Sequence, residues 1–158
     1  MTRILLVGGG GFVGGYIVGY LDELGGYDIS ITHQGELPRE LAQAHRYDLD
    51  LLVPDQIDAV LDDAKPDLII HLAALSSVAL SWKKPDLTVD VNVKGTLNLL
   101  EAVRASGANP RMLLIGSGEE YGFVREEDNP IGEETTLHPG NIYAATKACQ
   151  NMLASIYA

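Results

Sequence analysis

Ile4-Leu5-Leu6-Val7-Gly8-Gly9-Gly10-Gly11-Phe12-Val13-Gly14 decides how the rest of this sequence is read. A β-forming apolar run enters a row of glycines, and a helical pattern follows with Val13, Ile17, Leu21 and Leu24 on one face. Such a strand–turn–helix junction needs a positive φ in the turn, which glycine supplies without steric cost. Two spellings fit the spacing. Gly8, Gly11 and Gly14 read as G-x-x-G-x-x-G, whereas Gly9, Gly11 and Gly14 read as G-x-G-x-x-G. Both let backbone N–H groups and the positive end of a helix approach a pyrophosphate closely. The alternative is a glycine turn with no ligand. The position after the first strand and before an amphipathic helix favours dinucleotide binding, with Gly8, Gly11, Phe12, Val13 and Gly14 as contacts.

Outward from this turn, short apolar runs alternate with helical patterns. Residues 29–32 and 47–52 read as the second and third strands, and residues 57–61 as part of a short helix. Residues 68–72, introduced by Pro66-Asp67, form a buried strand. A long helix spans residues 87–105, with Val91, Leu97, Leu100 and Val103 apolar, and residues 112–115 form another strand. A loop rich in Pro, Gly and Glu covers residues 118–140, and a last helix begins near Asn141. This βαβα order implies a Rossmann-type, doubly wound parallel sheet, which binds ligands at the C-terminal ends of its strands. The second strand closes with Ile31-Thr32-His33-Gln34-Gly35, with no acid to hold a ribose 2′-OH or to repel a 2′-phosphate. NADP(H) is therefore expected to serve at least as well as NAD(H). Thr32 and His33 would donate hydrogen bonds, and Arg39 would reach a phosphate.

Tyr143 and Lys147 form Y-x-x-x-K at the start of the last helix, a spacing that puts both on one helical face. An ammonium beside a phenol favours the phenolate and lowers its pKa. The phenol is then suited to exchange a proton with a carbonyl or alcohol oxygen. Ser117 lies just past the strand at residues 112–115, where its hydroxyl would bond the same oxygen. Alone, Y-x-x-x-K is equally a surface pair. Joined to the upstream serine and the glycine turn, it is not explained by chance.

Composition narrows the partners. The chain has 158 residues with 46% hydrophobic and 21% charged, enough for a soluble globular domain with a full core. Its 11 basic and 22 acidic residues leave a formal net charge of -11, which argues against nucleic acid or an anionic membrane as partner. Cys149 is the single cysteine, so no internal disulfide forms, and a buried structural thiol is expected. No leader or spanning stretch precedes the first strand, no metal is expected, and a cytoplasmic setting is the simplest expectation.

The motifs taken together resemble the extended short-chain dehydrogenase/reductase family. They are V-G-G-G-G-F-V-G, H-L-A-A at residues 71–74, N-V-K-G-T-L-N-L-L-E-A at 92–102, G-S-G-E-E-Y-G at 116–122, and Y-A-A-T-K. S-S-V-A-L-S-W-K-K-P at 76–85 followed by G-S-G-E-E-Y-G is more narrowly similar to the GDP-4-keto-6-deoxy-D-mannose reductases, whose relatives are GDP-mannose 4,6-dehydratases. The resemblance implies Tyr143 as general acid/base, Lys147 as its pKa-lowering and ribose-binding partner, and Ser117 as the group that orients the carbonyl. Glu119 falls where the dehydratases keep a glutamate base, or it is a solvated loop acid. Leu72, Ala73 and Ala74 would line the cofactor, Asp50 and Leu51 would sit by the adenine, and Ser76 and Ser77 would face the nicotinamide and the sugar. Asp50 also reads as an ordinary strand-end acid. His71 reads as a core histidine, Trp82 as a packing residue and Asn92 as a buried polar group steadying the active-site end. His138 and Asn141 suit substrate contact or a turn equally.

Several positions depart from the family. Gly10 replaces a phosphate-binding hydroxyl, Val7 a threonine, Asn141-Ile142 the Ser-Pro before the tyrosine, and Gly118 an acid that some dehydratases pair with their glutamate. The family also continues into a small C-terminal domain that binds the nucleotide-sugar, which this sequence does not include. The resemblance implies an NAD(P)H-dependent ketoreductase acting on a nucleotide-linked 6-deoxy-sugar, and a homodimer built as a four-helix bundle. The alternatives are a nucleotide-sugar 4,6-dehydratase or 4-epimerase, and a catalytically silent dinucleotide-binding module.

Overall fold

A computed structural model describes every residue of the chain except 38–40 and 42–43, which include Arg39. The chain divides into two compact units, residues 1–74 with 97–115 and residues 75–96 with 116–158.

The first unit is built on five parallel strands in the order β3-β2-β1-β4-β5. They are β1 (Thr2–Val7), β2 (Tyr27–His33), β3 (His45–Asp48), β4 (Leu68–His71) and β5 (Arg111–Leu114). β1 lies in the centre and is apolar on both faces, as a strand covered from two sides must be. Leu5 and Val7 join Ile69 on one face, under α2 (Pro54–Ala64) and α5 (Gly95–Ser106), through Ile57, Val60, Leu61, Leu99 and Ala102. Ile4 and Leu6 join Ile29 and Ile31 on the other, under α1 (Phe12–Leu24) through Val18.

Three expectations shift here, and the short helix expected around residues 57–61 is present. α1 buries Gly14 and Val18 with Ile17 and Leu21 partly covered, while Val13 and Leu24 are 54% and 56% exposed. The helix is rotated because Gly14 must meet the turn. β3 covers residues 45–48 rather than 47–52. The apolar run at 49–52 leaves the sheet and buries Leu49 and Leu51 in the core from a turn. α2 extends over eleven residues from Pro54, which occupies the first helical turn where its missing N–H costs nothing. The helix expected over 87–105 starts earlier, at Pro85, and is interrupted. α4 (Pro85–Val89) passes through a π-helical turn, Asp90–Lys94, into α5.

The second unit packs α6 (Ile142–Tyr157) against α3 (Val78–Lys83), α4, the π turn and a short 3₁₀ turn, Gly118–Tyr121. Its interior is polar. Ser81, Thr88, Asn92, Thr96, Thr146 and Gln150 are all buried. The Ser81, Thr88 and Thr96 hydroxyls bond the backbone carbonyls of Val78, Lys84 and Asn92 at 2.7, 2.9 and 2.6 Å. Trp82 is 62% exposed, so it is not the packing residue its size suggested. Cys149 is only partly buried.

Candidate active site

The glycine turn is tied down from below. Gly8 adopts φ +82°, and a Cβ there would stand 2.7 Å from the Ala73 backbone. Its N–H donates to the Thr32 hydroxyl at 2.9 Å, and the Gly10 N–H donates to the Thr32 carbonyl at 3.1 Å. A Cβ on Gly14 would lie 2.1 Å from the Gly9 carbonyl oxygen, so helix and turn touch backbone to backbone. Gly8, as the residue of positive φ, gives the G-x-x-G-x-x-G spelling its turn. A side chain at Gly10 would run into His33 and Leu37 at 2.8 and 2.9 Å, which explains why no hydroxyl stands there.

Gly11 differs. A Cβ there meets only the Gly8 carbonyl oxygen, at 3.3 Å. It is the N-cap of α1, no side chain caps the helix, and the first turn holds no acid. Such a helix end presents N–H groups and partial positive charge to an anion. With no described side chain within 4 Å of a Cβ at Gly11, the glycine cradle fits a dinucleotide pyrophosphate.

The neighbouring strand ends divide the expected contacts. Thr32 is 2% exposed and its hydroxyl serves Gly8, so it supports the turn from beneath. His33 Nδ1 lies 2.7 Å from the Gly35 carbonyl. Opposite His33 in the β2–β3 register stands Asp48, whose carboxylate accepts the Gly35 N–H at 3.2 Å. The acid absent from the end of β2 is thus matched by one on β3, a pairing that sequence order hides. Asp50 accepts the Leu52 N–H at 2.9 Å and organises its own turn. Leu51 buries its side chain in the core, and its carbonyl accepts from Asn98 at 2.8 Å. Leu72 and Ala73 donate their N–H groups to the Val7 carbonyl at 2.8 and 2.9 Å, and Ala74 follows, all partly exposed. His71 is buried.

In the second unit, α6 carries Tyr143 and Lys147 one turn apart, 9% and 5% exposed. Burial pushes the Lys147 ammonium below its ordinary 10.5, and the Glu120 carboxylate pulls it back up. A relay fixes the helix start. Asn92 accepts from Leu75 N–H at 2.8 Å and donates to Thr146 Oγ1 at 2.9 Å, and Thr146 donates to the Tyr143 carbonyl at 2.7 Å. Asn141 caps α6 by accepting the Ala144 N–H at 2.8 Å, and its amide donates to Glu119 Oε2 at 2.8 Å. His138 has the turn role, its N–H donating to the Glu120 carbonyl at 2.9 Å.

Ser117 begins the turn on which α6 rests. Its Oγ accepts the Glu119 N–H at 3.3 Å and retains its own proton to donate. Its N–H donates to Glu120 Oε1 at 2.6 Å, completing a reciprocal capping box with Glu120. Glu119 is exposed and Glu120 is 2% exposed. Ser76 and Ser77 are exposed, and Ser77 caps α3 by accepting the Leu80 N–H at 3.2 Å.

A central parallel strand running into a glycine cradle, with a helix-borne Tyr/Lys pair and a strand-end serine, defines a dinucleotide-binding oxidoreductase of the α/β class. The chain belongs to the NAD dependent epimerase/dehydratase family, which it matches over residues 4–158. It is 38% identical over 151 residues to GDP-6-deoxy-D-mannose reductase of Pseudomonas aeruginosa, covering 96% of this chain and 45% of that protein. The structure of RMD from Pseudomonas aeruginosa complexed with NADPH superposes with a TM-score of 0.78 at 37% identity, covering 96% of this chain and 47% of that one. UDP-glucose 4-epimerase of Thermus thermophilus, solved with NAD, superposes with a TM-score of 0.90 at 31% identity, covering 99% and 50%. The chain spans about half the length of the relatives it matches. No helix among the described residues is long and apolar enough to cross a membrane.

Proposed function

We propose that the protein reduces the 4-keto group of a nucleotide-linked 6-deoxy-sugar, as a GDP-4-keto-6-deoxy-D-mannose reductase does. The observation that carries this reading is the buried Tyr143–Lys147 pair on α6, with Ser117 on the turn packed against that helix. When bound at residues 8–14, a nicotinamide dinucleotide supplies the hydride for C4. Ser117 donates a hydrogen bond to the C4 oxygen and orients it. Tyr143 passes its phenolic proton to that oxygen as the C4–H bond forms. Lys147 stabilises the phenolate left behind, an arrangement in which the pair works as one acid. The similarity to GDP-6-deoxy-D-mannose reductase supports the substrate class.

NADP(H) is proposed to serve at least as well as NAD(H). The C-terminal end of β2 brings no acid, and a relative was solved with NADPH. Asp48 is the acid that opposes this preference, and the Gly35 N–H occupies one of its oxygens. Arg39 lies outside the described residues.

A dehydratase or epimerase is the second reading, favoured by the Asn141–Glu119 hydrogen bond, which holds a carboxylate at the start of α6. The two separate by stoichiometry and by Glu119→Gln. A reductase consumes one reduced cofactor per sugar and keeps much of its activity in Glu119→Gln, because no proton leaves a sugar carbon. A dehydratase recycles its cofactor and loses nearly all activity with that base. Conversion of GDP-mannose with no net cofactor consumption would overturn the reductase reading.

A further inference from the structure

Glu120 is a buried acid that the proton transfer does not use. It is 2% exposed inside a turn whose neighbour, Glu119, faces solvent. One carboxylate oxygen takes the Ser117 N–H, and the other takes the Asn151 amide from α6. Its backbone is fixed as well, the N–H donating to the Ser117 carbonyl at 3.1 Å and the carbonyl accepting from His138 at 2.9 Å. A Cβ at Gly116 would lie 3.0 Å from Glu120 Oε1, so the backbone at Gly116 closes over the carboxylate with no room for a side chain. A buried carboxylate costs free energy unless it is hydrogen-bonded or paired.

Resting on the reading of Tyr143 and Lys147 as the proton-transferring pair, we propose that Glu120 is a positioning residue with two tasks. It clamps Ser117 to α6 through Asn151, and it is the counter-charge that keeps the buried Lys147 protonated beside Tyr143. The surroundings single it out. α3 brings Lys83, α4 brings Asp86 beside its capping Lys84, and the π turn brings Asp90 and Lys94. The 3₁₀ turn brings Glu119, Glu120 and Tyr121, and α6 itself carries Tyr143 and Cys149. Of the charged groups in this set only Glu120 is buried, as Lys147 is, and its carboxylate bonds the Asn151 amide, one helical turn beyond Lys147 on the same face of α6; the others are exposed. Glu120 is also the charge that raises Lys147 against the effect of burial.

The test is an NMR titration of the isotope-labelled protein, with Lys147 assigned through Lys147→Arg, and needs no turnover. It therefore stands or falls apart from the reductase reading. Glu120→Gln keeps an acceptor for Ser117 and removes the charge. Lys147 should then titrate about one pH unit lower than in wild type. Glu120→Asp keeps the charge, and its Lys147 should titrate close to wild type while the Ser117 amide resonance shifts. In wild type the Glu120 side-chain carboxyl carbon should move at the pH where Lys147 loses its proton, a reading that requires no variant to fold. A Glu120 signal that stays flat across the Lys147 titration overturns the proposal. So does a Glu120→Gln protein whose Lys147 titrates as in wild type, or a Glu120→Asp protein in which it falls as far as in Glu120→Gln.

Discussion

Asp48 and Glu120 show how a single residue's meaning depends on its partner. Asp48 lies beside His33 because β3 pairs with β2, and at that position its charge would oppose a 2′-phosphate. Asp48→Asn should therefore raise affinity for NADP(H) more than for NAD(H), read as the ratio of dissociation constants by fluorescence titration. An unchanged ratio would remove Asp48 from the specificity argument. The Tyr143–Lys147 pair was legible from spacing, because residues four apart on a helix share a face. Asp48 was not, since strand register cannot be read from one sequence. Glu120 was half legible. Two acids in G-E-E-Y look alike by composition, and only the turn selects which one points inward. The signal was there in the Ser117-x-x-Glu120 spacing of a capping box, which sequence reasoning passed over because no long helix follows it.

The glycine turn and the strand ends carry the element-scale consequences. Gly14→Ala forces a Cβ against the Gly9 carbonyl and should cost about 1–3 kcal/mol in chemical denaturation, through overpacking of backbone against backbone. Gly11→Val sets its Cβ 3.3 Å from the Gly8 carbonyl oxygen and gives α1 a poor N-cap, so it should cost about 1 kcal/mol of stability while abolishing dinucleotide binding. If both variants bound normally, the cradle would not be the binding site. At the opposite, N-terminal end of the strands, Asp67 ties the start of β4 to β1 by accepting from Arg3 N, Nε and Nη2 at 2.9, 3.2 and 2.7 Å. Hydrogen bonds from Arg3 hold the Asp67 carboxyl down at about 2, against an ordinary 3.8. The folded chain thus binds that proton less readily than the unfolded chain. The contribution is full above the ordinary value and is lost as pH falls through about 2. Asp67→Asn should be less stable than wild type at pH 6, and the gap should close towards pH 2, measured by urea midpoints. β1, β2, β4 and β5 were legible as short apolar runs, whereas β3 was misplaced because the apolar run at 49–52 leaves the sheet for the core. The face of α1 was off by a residue because close packing of Gly14, not apolar periodicity, orients that helix. The π turn escaped because its extra residue leaves no compositional trace.

At the scale of the whole molecule, the -11 charge and the division into two units set the terms. The doubly wound order followed from the sequence because strands alternating with helical patterns pair in parallel and their crossovers take one preferred hand. Of the polar interior of the second unit only Asn92 was read as buried; Thr88, Thr96 and Gln150 are polar residues whose sequence carries no sign that they are covered. Apolar residues remain outside. Leu87 and Val89 on α4 are 40% and 45% exposed, and Met152 and Ile156 on α6 are 60% and 77% exposed. These faces support the proposed four-helix homodimer, and sedimentation of the whole protein should give twice the monomer mass. A monomer at micromolar concentration would end that idea. The central claim is that Tyr143 delivers the proton in a cofactor-dependent reduction. Its most direct measurement is the oxidation of NAD(P)H by the whole protein with GDP-4-keto-6-deoxy-D-mannose, wild type against Tyr143→Phe. The variant keeps the ring and its packing and loses only the phenolic proton. Turnover should fall by about 10²–10⁴-fold with cofactor affinity unchanged. Equal turnover in the two proteins, or no cofactor oxidation by wild type, would contradict it.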